Sequence, residues 1–158
     1  MAPIAISFGG YQPPASVHSK AAAVFQQALC RQVEGQVEWT LEGNIVAAGR
    51  PAADLLTLVE RGALSLCYFS ASYLAERVLE FALLDLPFTL TDRARAYAVL
   101  DGPLGQLLRD KLQAVSGFRV LGFWDNGFRH LSNAVRPIRR PEDCQGLRLR
   151  TLLSPLHG

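Results

Sequence analysis

Apolar and polar positions alternate with period two in IAISF, which puts Ile4, Ile6 and Phe8 on one face and predicts a first strand. Gly9-Gly10 follows it, the signature of a tight strand-to-helix loop that continues through YQPPAS. From Ser16, whose hydroxyl suits an N-cap, Val17, Ala21, Val24, Phe25, Ala28 and Leu29 recur at helical spacing until near Gly35. VEWTL alternates again, with Val37, Trp39 and Leu41 in phase, and predicts a second strand. Pro51 at a first helical position, then Leu55, Leu58 and Val59, with Gly62 as the stop, predict a second helix. ALSLCYF is apolar almost throughout, as a strand covered on both faces of a parallel sheet should be.

Beyond it, ASYLAERVLEFALLDLPF predicts short helical turns broken at Pro87. Thr91 or Asp92 caps DRARAYAVL, and PLGQLLRDKLQAV starts at Pro103 with Leu104, Leu107, Leu108, Leu112 and Val115 on one face. Gly117 closes that helix and leads into a fourth strand, FRVLGFW. GFRHLSNAVRPI then predicts a long extended segment, PEDCQG one helical turn beginning near Pro141, and LRLRT a further strand. Strands alternating with helices over this length argue for an α/β fold with a mostly parallel sheet and flanking helices.

Composition narrows the class. A chain of 158 residues with 49% hydrophobic and 19% charged content can bury a core, and its longest apolar runs, interrupted by Asp85 and Pro87, fall far short of the roughly 20 residues that span a bilayer. It is read as water-soluble. The start, MAPIAISFGG, enters a strand pattern directly and carries no leader, so two readings stay open: a cytosolic protein, or one whose leader has been removed. Cys30, Cys67 and Cys144 are odd in number and lack ligand spacing, and are taken as small apolar fillers; His18, His130 and His157 lack metal-ligand spacing and are taken as structural.

The one shift of composition falls late. GFRHLSNAVRPIRRPEDCQGLRLRT holds six arginines and two carboxylates in a chain of net charge +2. With only Lys20 and Lys111 as lysines and so small a net charge, a nucleic-acid surface is disfavoured. Arg136, Arg139, Arg140 and Arg148 are read as solvated strand and turn charges. Arg129 and Arg150 each stand at an end of an apolar or tightly turned strand, and Arg129 follows the fourth strand directly, where the C-terminal edges of parallel strands form a ligand crevice. A planar guanidinium there offers two parallel donors that match a carboxylate.

LEFALLDLPF, LDGPLGQLL, WDNGFRHLSNAVRPI, PEDCQGLRLRT and SPLH, in this order, resemble the solute-binding proteins of tripartite ATP-independent periplasmic (TRAP) transporters, in their DctP-type branch. The resemblance implies a periplasmic-binding-protein-like fold: two α/β domains joined by crossing strands and a long helix, closing on a small organic acid without chemistry or cofactor. Members of the family are longer, so residues 1–125 are expected to form most of domain I and residues 126–158 a crossover strand and the start of domain II, with the rest absent from a truncated chain. The implied partners are a small carboxylate ligand and the membrane permease subunits, and the implied location is the periplasm, with the signal peptide removed.

The resemblance also implies the site. Arg150 clamps the ligand carboxylate and Arg129 assists it; Tyr11 and Gln12 approach from the loop after the first strand, Ser70 and Tyr73 from the loop after the third, and Trp124 and Phe128 wall the pocket. Asn126 either bonds the ligand or forms the turn before Gly127. Ser70 could instead cap its turn, and Tyr73 and Trp124 could be core aromatics. Two other readings remain: an α/β hydrolase using a Cys/His pair, disfavoured because neither Cys67 nor Cys144 sits at a strand-to-helix elbow, and a fragment without binding activity.

Overall fold

The computed structural model describes residues 2–33, 35–128 and 130–150. Its centre is β1 (Ile4–Gly9), flanked by β2 (Val37–Glu42) and β3 (Leu66–Cys67) in a three-stranded sheet of order β2-β1-β3, parallel throughout. The α/β class and the parallel pairing are as the alternation of strands and helices predicts. β1 runs in register with β2 from Ile4 opposite Val37 to Gly9 opposite Glu42. Burial rises along β1, from Ile4 at 63% exposed to Phe8 at 2%, so the strand is best packed at its C-terminal end.

The third strand is shorter than ALSLCYF predicts. Its backbone bonds to β1 run only from Ser65, which donates to the Ser7 carbonyl at 2.9 Å, to Tyr68, which donates to the Gly9 carbonyl at 3.3 Å. β1 turns away at Gly10 and leaves Phe69 no ladder to join, while Ala63 and Leu64 close the preceding turn by donating to the Leu58 carbonyl at 2.9 and 3.1 Å. Leu64 instead packs with Ile45 and Leu55 in a small cluster of its own.

α1 (Val17–Gln32) is capped as predicted, Ser16 accepting from the Ser19 amide at 3.1 Å. Its packed face is rotated from the predicted one. Val17 and Val24 are exposed, while Ser19 and Ala22 are buried, and Phe25 packs with Phe8, Ala22 and Tyr68. Small side chains let the helix come close to the sheet, and the buried Ser19 hydroxyl is satisfied by donating to the Pro13 carbonyl at 3.0 Å.

α2 (Asp54–Glu60) begins three residues after Pro51, whose carbonyl accepts from Asp54 in the preceding turn. Short 3-10 helices follow at Ala71–Glu76 and Leu79–Asp85, matching the predicted broken turns. α3 (Arg93–Leu100) is capped by Asp92, which accepts from the Arg95 amide at 2.8 Å. α4 (Pro103–Ser116) starts on Pro103 and ends at Gly117, whose φ of 71° is open to glycine at little cost.

The main core joins these elements: Leu74, Val78, Phe81, Leu108 and Leu112 are buried together. Of the predicted apolar face of α4, Leu108 and Leu112 enter this core and Leu104 borders it, while Leu107 and Val115 are exposed. Ion pairs from Arg77 to Glu60 and from Lys111 to Glu80 tie the 3-10 segments to α2 and α4.

After Gly117 the predicted strands form no ladder among the described residues. Phe118, Val120 and Phe123 pack against the main core with Arg119 and Leu121 outward, yet among the described residues no strand lies beside them. Asn133 makes a turn by accepting from the Val135 and Arg136 amides, each at 2.9 Å. The predicted helical turn is a 3-10 turn at Pro141–Cys144. Leu147 and Leu149 are half-buried and Arg148 and Arg150 exposed, so the parity of LRLR holds without a ladder. Residues 151–158 lie outside the described residues. Among the described residues no helix is long and apolar enough to cross a membrane.

Candidate functional site

The sheet ends where β1 gives way to Gly9-Gly10 and β3 to Tyr68-Phe69-Ser70, and the two loops are fastened to each other. The Tyr68 hydroxyl accepts from the amides of Tyr11 at 3.1 Å and Gln12 at 2.8 Å. The buried Tyr68 ring fills the space that a side chain at position 10 would need: a Cβ on Gly10 would lie 2.7 Å from Tyr68 Cε1 and 2.8 Å from the Gly43 carbonyl oxygen. The second glycine of the loop is therefore required by close approach.

Aromatic rings extend from this junction in two directions. Tyr11 lies 5.2 Å from Tyr68 and 6.1 Å from Phe69, which in turn lies 5.3 Å from Tyr73. On the other side Trp124 stacks on Phe8 at 6.4 Å with planes 13° apart and meets Tyr68 at 6.0 Å, while His18 stacks on Tyr68 at 5.3 Å. Of the predicted site residues, Tyr11, Tyr73 and Trp124 thus converge on one aromatic wall at the C-terminal edge of the sheet, with Gln12 and Ser70 beside it. Tyr73 and Trp124 are 38% and 42% exposed, so both rings present a face to solvent. Ser70 occupies the N-terminal cap position of its 3-10 helix, but its hydroxyl donates to Ser72 at 3.3 Å and caps nothing.

The turn carrying Trp124, Asn126 and Phe128 is held from α3. Asp125 accepts from the Gly127 amide at 2.6 Å and the Tyr97 hydroxyl at 2.9 Å, and pairs with Arg93 Nε at 3.1 Å. These bonds hold the Asp125 carboxyl below the usual range, the Gly127 amide acting most strongly, and the same carboxylate pushes the Tyr97 phenol up. The Arg93 guanidinium also lies over the half-exposed Phe128 ring at 5.4 Å. Asn126 is exposed at the tip of the turn, which Asp125 builds.

Arg150 is exposed and, among the described residues, makes no hydrogen bond or ion pair. Arg129 lies outside the described residues. Arg136 has more to do than a solvated charge: it donates to the carbonyls of Asp143, at 2.8 Å, and Gln145, bracing the 3-10 turn. An open cavity of about 910 Å³ between Phe88 and residues 130–138 is separate from the aromatic wall, and no predicted site residue lines it.

Thiol chemistry has little support. Burial pushes the Cys67 thiol up to about 11, the opposite of an activated nucleophile. Among the described residues no group of three or more His, Cys, Asp or Glu side chains could hold a metal ion.

The model of the DctP family, bacterial extracellular solute-binding protein family 7, matches residues 8–158. The chain belongs to this family. Among DctP-family relatives, the C4-dicarboxylate-binding periplasmic protein DctP of Rhodobacter capsulatus is 31% identical over 149 residues, 94% of this chain and 44% of its own length. The sugar acid binding protein DctPAm of Advenella mimigardefordensis, solved with galactonate, has a TM-score of 0.88 at 31% identity over 99% of this chain and 49% of its own. A TRAP periplasmic solute binding protein of Sulfurospirillum deleyianum with bound succinate has a TM-score of 0.85 at 32% identity over 98% of this chain and 49% of its own. The chain spans about half the length of these solved relatives and less than half that of the curated relatives it matches.

Sequence reasoning missed Tyr68, His18 and Phe69, which form the middle of the wall, and the Arg93–Tyr97–Asp125 group behind the turn. The sequence signal for Tyr68 was the doubled glycine, since a loop that needs Gly10 needs something large pressed against it. For Arg93 and Tyr97 the signal was their i, i+4 spacing on a helix without an apolar stripe.

Proposed function

We propose that this DctP-family chain supplies one side of the ligand cleft in a periplasmic receptor for a small organic acid, which hands its ligand to a TRAP membrane permease. The observation that carries the reading is the convergence of Tyr11, Gln12, Ser70, Tyr73 and Trp124 at the C-terminal edge of a parallel sheet, where ligands of open α/β sheets bind. Galactonate and succinate, bound by its solved relatives, share only the carboxylate and hydrogen-bonding groups of an organic acid.

Arg150 pairs with that carboxylate and Arg129 assists. The freedom of Arg150 from any ion pair among the described residues supports its role, since its donors are not engaged there. Residues 1–125 form most of the first domain: the sheet and all three apolar clusters lie within them. Residues 126–158 lead across to the second, whose closure excludes water and strengthens the charge-assisted bonds.

Calorimetry of the protein carrying this chain, against a panel of sugar acids and C4-dicarboxylates, tests the reading. One acid should bind, and Arg150→Ala should weaken it by about 2–5 kcal/mol, since a buried carboxylate loses its partner. Unchanged affinity in that variant removes Arg150 from the site, and no binding across the panel removes the organic-acid reading.

A further inference from the structure

We propose that Asp125 is a positioning residue that fastens the 124–128 turn to α3 and so holds Trp124 in the ligand wall. The proposal rests on the organic-acid reading only for the purpose of that wall; the fastening itself is independent of any ligand.

The turn needs an external anchor. Residues 121–128 belong to no helix or strand, and among the described residues none of their backbone groups joins a strand. Trp124 meets the body of the molecule through its ring contacts with Phe8 and Tyr68, with much of its surface in water. Among the described residues, every hydrogen bond or ion pair from this turn to the rest of the molecule ends on Asp125, at Tyr97 and Arg93.

The donors are suited to the task. Arg93 and Tyr97 are four residues apart, hence on one face of α3, and Leu100 at the end of that helix packs against the main core. No residue of α3 is buried, so the helix contributes little to the interior itself; its exposed face carries the two side chains that reach the turn. Arg93 grips the turn twice, through Asp125 and over the ring of Phe128.

The chemistry requires a carboxylate. Asp125 uses one oxygen for the Gly127 amide and the other for both Tyr97 and Arg93. An asparagine has a single acceptor oxygen, and its NH₂ group would face either the Gly127 amide or the two α3 donors. Asp125→Asn therefore breaks one half of the connection while nearly preserving shape. Tyr97→Phe removes one donor and nothing else.

Fluorotryptophan incorporated at Trp39 and Trp124 gives two fluorine resonances in the chain without ligand, assigned with Trp39→Phe. In Asp125→Asn and in Tyr97→Phe the Trp124 resonance should move toward its position in the urea-unfolded chain, and acrylamide quenching of Trp124 in the Trp39→Phe background should rise. The Trp39 resonance, from a ring stacked on Phe8 at 5.4 Å, should stay in place, as should both resonances in Asp110→Asn, a control acid on α4. A Trp124 resonance and quenching unchanged in both turn variants overturns the proposal. Movement of both resonances in Asp125→Asn marks general unfolding, and the gentler Tyr97→Phe then decides by the same two readouts. Loss of organic-acid binding with an unmoved Trp124 would likewise count against Asp125 as a positioning residue, whereas absence of binding in the unsubstituted protein bears only on the function proposed above.

Discussion

The two ends of the described chain carry similar hydrophobic patterns and reach different structures. IAISF and VEWTL become paired strands, β1 and β2, with Phe8 buried at 2% exposure. FRVL and LRLR keep the alternation of packed and outward side chains, and Gly122 shifts the phase so that Phe123 turns inward, but neither segment forms a ladder among the described residues. Alternation decides which way each side chain faces; a ladder also needs a neighbour at hydrogen-bonding distance, and among the described residues only the first region has one. What holds the second region is side chains: Phe118, Val120 and Phe123 against the core, Asp125 on α3, Arg136 on the turn that follows.

Phe81→Ala, at a ring 1% exposed, should cost about 3–5 kcal/mol in urea denaturation, whereas Leu131→Ala, at a side chain 62% exposed in the second region, should stay within about 0.5 kcal/mol. Similar losses at both positions would mean that residues 126–150 pack far more tightly than their exposure says.

The Cys67 thiol is raised in the folded chain from an ordinary value near 9 to about 11 by burial. A raised value in the folded state gives stability that is complete below pH 9 and lost as pH rises through 11, at most about 3 kcal/mol for the shift. Cys67→Ala should remove that alkaline loss. Equal sensitivity in the variant would place its origin elsewhere.

Tyr68→Phe should cost about 1–3 kcal/mol, because the amides of Tyr11 and Gln12 lose their acceptor in a half-buried loop. Hydrogen exchange at those two amides should accelerate while the amides of β2 stay protected. The smallest effect is expected at the helix cap, where Ser16→Ala should cost about 1 kcal/mol and leave the second region untouched. At the acid end Asp125, held below the usual carboxylate range, contributes stability that is present above that range and is lost as pH falls through its depressed value; Trp124 fluorescence should report the loss before Trp39 does.

The site was legible in proportion to how local its causes are. Tyr11, Gln12, Ser70, Tyr73 and Trp124 are implied by the family resemblance alone, and the structure brings them to the C-terminal edge of the sheet. Tyr68 read as one more apolar strand residue, since nothing nearby in sequence says that its hydroxyl crosses to residues 11 and 12. Asn126 read as either a ligand contact or a turn former, and the bond that builds its turn belongs to Asp125.

The order of elements from β1 to α4, the Ser16 cap of α1, the cap of α3 narrowed to Thr91 or Asp92, the start of α4 at Pro103, the stops at Gly62 and Gly117 and the parity of LRLR can all be read along the chain, because each depends on a side chain and the backbone within a few residues of it. The tertiary structure decided the rest. Which face of α1 is buried depends on whether small side chains let it approach the sheet. Which alternating segments become strands depends on which neighbours arrive. The wall of the site depends on a tyrosine and an aspartate whose partners lie 56 and 28 residues away along the chain, separations over which local pattern carries no information and only the packed fold fixes a distance.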